Sequence, residues 1–423
     1  MTSLTASNSA EISIASAEET RIRGIIDASI AQVAEELKRV NRTIWENPEL
    51  CYEEVIAHNT QVEFLKSRGF QVKPQSYGIK TSYEAEFGSG GRLVVFNAEY
   101  DALPFADPGP LHACGHNLIA TSALVAFLGA AAVLKALAIP GRVRILGTPA
   151  EEGGAGKSKL LEAGAYKNVD ACLMGHPAPQ QIQGEGYTGT AGHRTIARAA
   201  LKADFYGKPA HASGNPWDGI NALDALVATY NNVSMLRQQI RPEQRIHAAF
   251  LKVPQVMNVI PDHTRVQFGT RSPTWSAANN LLERVTDCLK AGALASGCEI
   301  EYSRIDGYLD LRLNQTLCKR YTHHMESFGE RIRCMTEEYM SASTDMGNVS
   351  YVVPGLHQFF GIPSPDDVGG HHPAFAKAAG TSEAYESAVR AGKGMAMVAW
   401  DVLTDDGIMK AVIDDFEMDK KSR

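Results

Sequence analysis

Three short apolar runs constrain the fold most: LVVF at 93–96, VRIL at 143–146 and ACLM at 171–174. Each is bounded like a strand, and helical stretches fall between them. Apolar strands that alternate with helices belong in a largely parallel sheet covered on both faces. Apolar residues at Ile22, Ile26, Ile30, Val33, Leu37, Val40 and Ile44 recur every three or four positions and predict one long amphipathic helix. A second helix runs from about Glu54 to Gly69, SYEAEFG reads as another strand, and a short helix is expected near Lys157 to Ala163. Active sites in such sheets lie beyond the carboxyl ends of the strands. Asp101, the pair Glu151 and Glu152, and His176 follow the three runs and converge on that rim.

From about Arg194 the rhythm changes to strand, helix, strand, strand, helix, strand, the order of a ferredoxin-like α+β unit. The expected organisation is a catalytic domain in two parts, 1–193 and 306–423, with an inserted domain at 194–305. The second part adds helices, VVPGLHQFFGI as a strand, and a long helix from about Thr381. The expected class is therefore α/β, a mixed and mostly parallel sheet with helices on both faces, plus the inserted α+β unit. Residues 1–20 have neither the basic start nor the apolar core of a signal peptide and read as a disordered cap.

With 423 residues and 44% hydrophobic content the chain can bury large cores, and a net charge of -7 gives no basic surface for nucleic acid or anionic lipid. Small-molecule or peptide substrates are expected instead. Seven scattered cysteines read as reduced thiols of a cytoplasmic protein. The apolar run at 117–139 is long enough to span a membrane, but its alanines, glycine, Asn117, Thr121, Ser122 and Lys135 suit a buried helix better.

LHACGHN places His112, Cys114 and His116 at alternate positions in front of that run. Imidazole and thiolate are borderline-soft ligands suited to zinc, although a buried structural cysteine beside a surface histidine would look the same. Glu151, Glu152 and His176 at neighbouring strand ends favour the metal, because clustered carboxylates and imidazoles are costly unless a cation neutralises them. Adjacent carboxylates suit metal-assisted hydrolysis, one binding the ion while the other takes a proton from water. GAGKS at 154–158 has the look of a phosphate loop, but Glu151 stands where that loop needs glycine. His371 and His372 lie in a glycine-flanked loop, with His372 read as a surface residue, and His211 sits on a loop of the inserted domain.

AEYDALP, HACGHN, GTPAEEGG, MGHP, GKPAHAS, STDMGNVSYVVPGLH and HHPAF occur in this order across nearly the whole chain. Together they resemble the M20 family of dimetal peptidases and aminoacylases, in particular its peptidase-domain-containing-two and aminobenzoyl-glutamate hydrolase group. The first metal motif ends in Asn117, where the plant auxin-conjugate hydrolases usually have Asp. The resemblance implies a zinc-exopeptidase-like catalytic domain and a lid domain that also forms a homodimer. It implies two divalent ions, zinc first and manganese or cobalt as alternatives. Cys114 would bridge them, with His116 and His176 on one ion and Glu152 and His371 on the other. Glu151 would be the general base, Asp101 a carboxylate that orients a ligand, and His112 a neighbour only. His211 would reach the partner subunit's site, and Asn258 and Arg271 would grip the substrate carboxylate. The implied reaction is hydrolysis of a small N-acyl amino acid or dipeptide with a free carboxylate, by a metal-bound hydroxide. The same site run toward amide formation, or a metal-free binding or scaffold protein, are the other readings.

Overall fold

The computed structural model describes residues 16–422. Its strands are β1 (Val72–Pro74), β2 (Tyr83–Ser89), β3 (Leu93–Ala98), β4 (Gly141–Gly147), β5 (Ala171–Pro179), β6 (Gly189–Thr195), β7 (Ala197–Tyr206), β8 (Arg245–Lys252), β9 (His263–Ser272), β10 (Glu299–Tyr308), β11 (Ile332–Met340) and β12 (Gly355–Ile362). One sheet has the order β1-β2-β4-β3-β5-β12-β6-β11. Its centre, β4-β3-β5-β12, is parallel, while β1 and β2 on one side and the contact of β12 with β6 are antiparallel. The three apolar runs are the heart of this sheet. Val94 and Phe96 of β3 enter the core on one face, Leu93 and Val95 the core on the other, and all four are at most 1% exposed. Burying each such side chain contributes about 1.5–3 kcal/mol, which is why a strand apolar on both faces occupies the centre.

The helix His116–Leu137 packs between β3–β5 and the helices Ala17–Ala31 and Ser382–Thr404. By length and composition it could cross a membrane, yet 94% of its most apolar window is buried inside the protein, so it is a core helix. The short helices Gly156–Glu162 and Met346–Ser350 lie on the other side of the sheet.

The expected single helix from Ile22 to Ile44 is two, Ala17–Ala31 and Ala34–Glu46, broken at Gln32 and Val33. The apolar period runs through the break: both halves pack on His116–Leu137, the first also on Ser382–Thr404 and the second also on Val55–Ser67. Residues 1–15 of the expected disordered cap lie outside the described residues. Ser16 begins an ordered capping box with Glu19, so the end of that stretch is helical rather than disordered. The strand β5 extends to Pro179, which puts His176 inside a strand instead of after one. The strands β1, β6 and β11 add to the expected elements.

Strands β7–β10 form a second sheet, order β10-β7-β9-β8, antiparallel throughout. Helices Ala222–Leu236 and Trp275–Ser296 cover one face through Leu201, Phe205, Leu226, Phe268 and Leu282. The other face carries polar residues, and one end of it looks into the site described next.

Candidate metal centre

The parallel strands aim their carboxyl ends at one point. Glu99 and Asp101 follow β3, Glu151 and Glu152 follow β4, and His176 lies on β5. His116 is the first residue of its helix, with Gly115 as the cap at φ +74. A side chain at Gly115 would put its Cβ 2.7 Å from Pro177, so glycine lets Cys114 and His116 approach His176 closely. His371 arrives from the far end of the chain, its backbone N–H donating to Ala113 at 2.8 Å and its φ at +64.

Three groups of possible metal ligands meet here, Glu99 with His116 and Glu151, and two that share Cys114: Cys114 with His116 and His176, and Cys114 with Glu152 and His371. In each, the ligand atoms lie within 4.8 Å of one another. Cys114 Sγ is 3.5 Å from His176 Nε2, and Glu152 Oε1 is 3.7 Å from His116 Nε2 and 3.3 Å from His371 Nε2.

Outer contacts fix which nitrogen of each ring faces inward. His116 Nδ1 donates to Asp101 Oδ1 at 3.0 Å and His176 Nδ1 donates to the Pro177 carbonyl at 2.7 Å. Carboxylates and carbonyls only accept, so each ring holds a proton on Nδ1 and turns Nε2 to the interior. Buried His116 Nε2 and Glu152 Oε1 have no hydrogen-bond partner. A buried polar atom without a partner costs about 1–3 kcal/mol, and a cation held by these atoms would remove that cost.

The charges argue the same way. Glu99, Asp101, Glu151 and Asp345 are buried together, and the fixed cation among them is Lys157, fully buried between Glu99 and Asp345. Burial, then Glu99 and Glu152, pushes the Glu151 carboxyl well above the usual carboxylate range. Burial and then Glu152 push the Cys114 thiol up. Burial opposes a charge on His116, but Cys114 and Asp101 outweigh it and raise that imidazole well above its ordinary value. The pocket therefore favours added positive charge. Burial, and His116 after it, lowers His176 to about 3, so this ring is neutral. The donor set of thiol, imidazoles and carboxylate fits divalent ions of borderline softness.

This cluster floors a cleft of about 640 Å³ whose opposite wall includes Arg198, His247, Gln267 and Arg271 of the second sheet. Arg271 thus lies in the cleft, whereas His211 and Asn258 are exposed and do not line it. Those two are neighbours of each other, Ala212 N donating to the Asn258 carbonyl at 3.1 Å. His112 is turned away, bonded to the Ile44 carbonyl at 3.0 Å, and His372 caps the helix Pro373–Ala379 from the surface. Asn117 ties its helix to the Ala379 carbonyl at 2.9 Å.

A profile of peptidase family M20/M25/M40 matches residues 94–396. The chain belongs to this family. Over 406 residues it is 36% identical to the Xaa-Arg dipeptidase of Mus musculus, covering 92% of this chain and 90% of that protein. Over 290 residues it is 29% identical to a p-aminobenzoyl-glutamate hydrolase polypeptide of Escherichia coli, covering 65% of this chain and 59% of that one. A dinuclear metal-binding M20 peptidase from Bacillus subtilis has the same fold, with a TM-score of 0.61 at 21% identity over 91% of this chain and 99% of that one. As a member of this peptidase family, the chain is a hydrolase.

Four residues at or beside this cluster have no site role in the sequence analysis. Glu99 stands two positions before Asp101, and that spacing on a strand end was a usable signal. Lys157 was visible only as part of the phosphate-loop look-alike. Asp345, its partner, is 188 positions away, inside the quoted stretch STDMGNVSYVVPGLH, where it was given no role. His357 lines the cleft, buried with both ring nitrogens unpartnered.

Proposed function

We propose that the chain cleaves the linear amide of an N-acyl amino acid or dipeptide bearing a free carboxylate, with two divalent ions held by Cys114, His116, His176, Glu152 and His371. The observation that carries this reading is the pair of ligand groups sharing Cys114, with two buried ligand atoms left without partners. Zinc suits a thiol and imidazole set best, with manganese or cobalt as alternatives. Bound there, the ions supply Lewis acidity that acidifies water and polarises the scissile carbonyl.

Glu151 takes the proton from the attacking water and delivers it to the leaving amine nitrogen. Its raised proton affinity, from burial and neighbouring carboxylates, suits that role. Asp101 orients His116 and the Glu152 backbone. Arg271 holds the substrate carboxylate through its planar fork. The inserted unit expected at 194–305, whose sheet runs on to Tyr308, acts as lid and dimerisation domain in a cytoplasmic homodimer. His211 and Asn258, exposed in their own chain, serve the partner's cleft, where His211 stabilises the oxyanion.

Elemental analysis joined to a hydrolysis screen of acyl amino acids and dipeptides, with ninhydrin readout, tests this reading. The expected result is up to two transition-metal ions per chain and amide hydrolysis abolished by chelator. Active protein without metal would overturn it.

A further inference from the structure

The segment 150–155 carries both Glu151 and Glu152, and its backbone is strained: Ala150 and Ala155 stand in the left-handed region at φ +63 and +52, and Gly153 at φ +134. Left-handed alanine is uncommon and persists only where its neighbours over-determine the chain. Among the described residues, four side chains hold this backbone. Three come from the chain before β4: Glu54 accepts from the Ala150 N–H, Asp101 accepts from the Glu152 N–H, and the Tyr52 hydroxyl donates to the Gly154 carbonyl. The fourth is Tyr308, the last residue of β10, and it comes from the second sheet. Its hydroxyl donates to the Glu151 carbonyl at 2.5 Å and accepts from the Ala155 N–H at 3.2 Å, which closes the turn from both ends.

An extra residue in β10 aims Tyr308 at this turn. Ile305 pairs with Ala200 and Tyr308 with Arg198, so β10 takes three steps where β7 takes two. Without that bulge Gly307 would stand opposite Arg198, and Tyr308 would turn to the face that the helices cover. Asn348 pins the chain on both sides of Tyr308, donating to the Gly307 carbonyl at 3.0 Å and accepting from the Leu309 N–H at 3.0 Å. Burial, then Asp345 and Glu151, push the Tyr308 phenol up, so the hydroxyl keeps the proton it donates.

We propose that Tyr308 is a positioning residue for general-base catalysis: its hydroxyl holds the Glu151 backbone, so the place of the base is set by how the second sheet sits on the first. The inference rests on the proposed function for the role of Glu151 and adds what places it. The hydroxyl grips the carbonyl of Glu151 rather than its carboxyl, so it acts on position. A displacement of about 1 Å at a reacting group costs on the order of 100-fold in rate.

Tyr308→Phe keeps the ring and removes the hydroxyl. In metal-loaded protein, hydrogen exchange of the peptide 150–156 should become at least roughly tenfold faster, with metal content and exchange in the strands of the first sheet unchanged. On the acyl amino acid or dipeptide that the wild type turns over fastest, kcat should fall roughly 10- to 100-fold while KM stays within about threefold. The same change is then made in Glu151→Gln protein. With the base already gone, its residual turnover should alter by less than about twofold, whereas a purely structural tyrosine would lower it by the same factor as in the wild type. Unchanged exchange, loss of metal or fold, an effect carried by KM, or equal losses in the two backgrounds would each overturn the inference. If the wild type hydrolyses no amide, the proposed function fails, and the exchange rates still decide whether Tyr308 holds the segment.

Discussion

Asp101 joins two candidate ligand positions, its Oδ1 3.0 Å from His116 Nδ1 and its Oδ2 accepting from the Glu152 backbone N–H at 2.9 Å. One carboxylate thus sets the tautomer of a ring and the position of a loop. Asp101→Asn should weaken metal affinity by about 10–100-fold, measured by competition with a chromophoric chelator. Unchanged affinity would remove Asp101 from the support of the centre.

Glu151 and Glu152 are adjacent in sequence but differ in surroundings: Glu152 belongs to the group with Cys114 and His371, and Glu151 lies against Glu99 and His116. Glu151→Gln should retain metal and lose turnover by roughly two to four orders of magnitude, while Glu152→Gln should lose metal as well. Metal analysis of the two proteins decides, and a reversed result would exchange their roles.

Lys157 Nζ lies between Glu99 and Asp345, 2.5 Å from Asp345 Oδ1, with all three side chains fully buried. Lys157→Met would leave two buried carboxylates without their cation, at a cost of about 3–5 kcal/mol in denaturant unfolding. Adding Asp345→Asn should recover part of the loss. A loss below about 1 kcal/mol would mean the triad is not a buried salt bridge of this kind.

Glu54 accepts from the Ala150 N–H at 2.9 Å, but burial, and Asp101 after it, raises its pKa from 4.5 to about 7. Folding therefore favours its protonated form. The stability from this linkage is complete below 4.5 and is lost as pH rises through 7. The loss is on the order of 3 kcal/mol above pH 8. Glu54→Gln keeps the acceptor and removes the titration, so its stability should fall less between pH 5 and pH 8 than that of the wild type. Parallel unfolding curves across that range would sink the assignment.

If His211 completes the partner's cleft, His211→Ala and Glu151→Ala homodimers should each be nearly inactive. A mixed dimer would have one cleft with both groups intact, so coexpression should restore up to about half of wild-type activity per mixed dimer. No recovery from mixed dimers that demonstrably form would place His211 within its own chain or outside the chemistry.

The sequence by itself determined the elements whose information is local. The apolar runs of β3, β4 and β5 and the helix after Gly115 follow from patterning over a few residues, and Cys114, His116, Glu151, Glu152 and His176 stand at or near the ends of those runs. Tertiary structure decided what depends on distant partners. The break at Gln32 and Val33 leaves no trace in the apolar period, which continues through it. Lys157 is a buried counter-ion only because folding brings Glu99 and Asp345 to it across 58 and 188 positions. Arg198 and Arg271 face each other only because β7 and β9 pair in that register, which the hydrogen-bond ladder of the folded sheet sets and neither strand encodes alone.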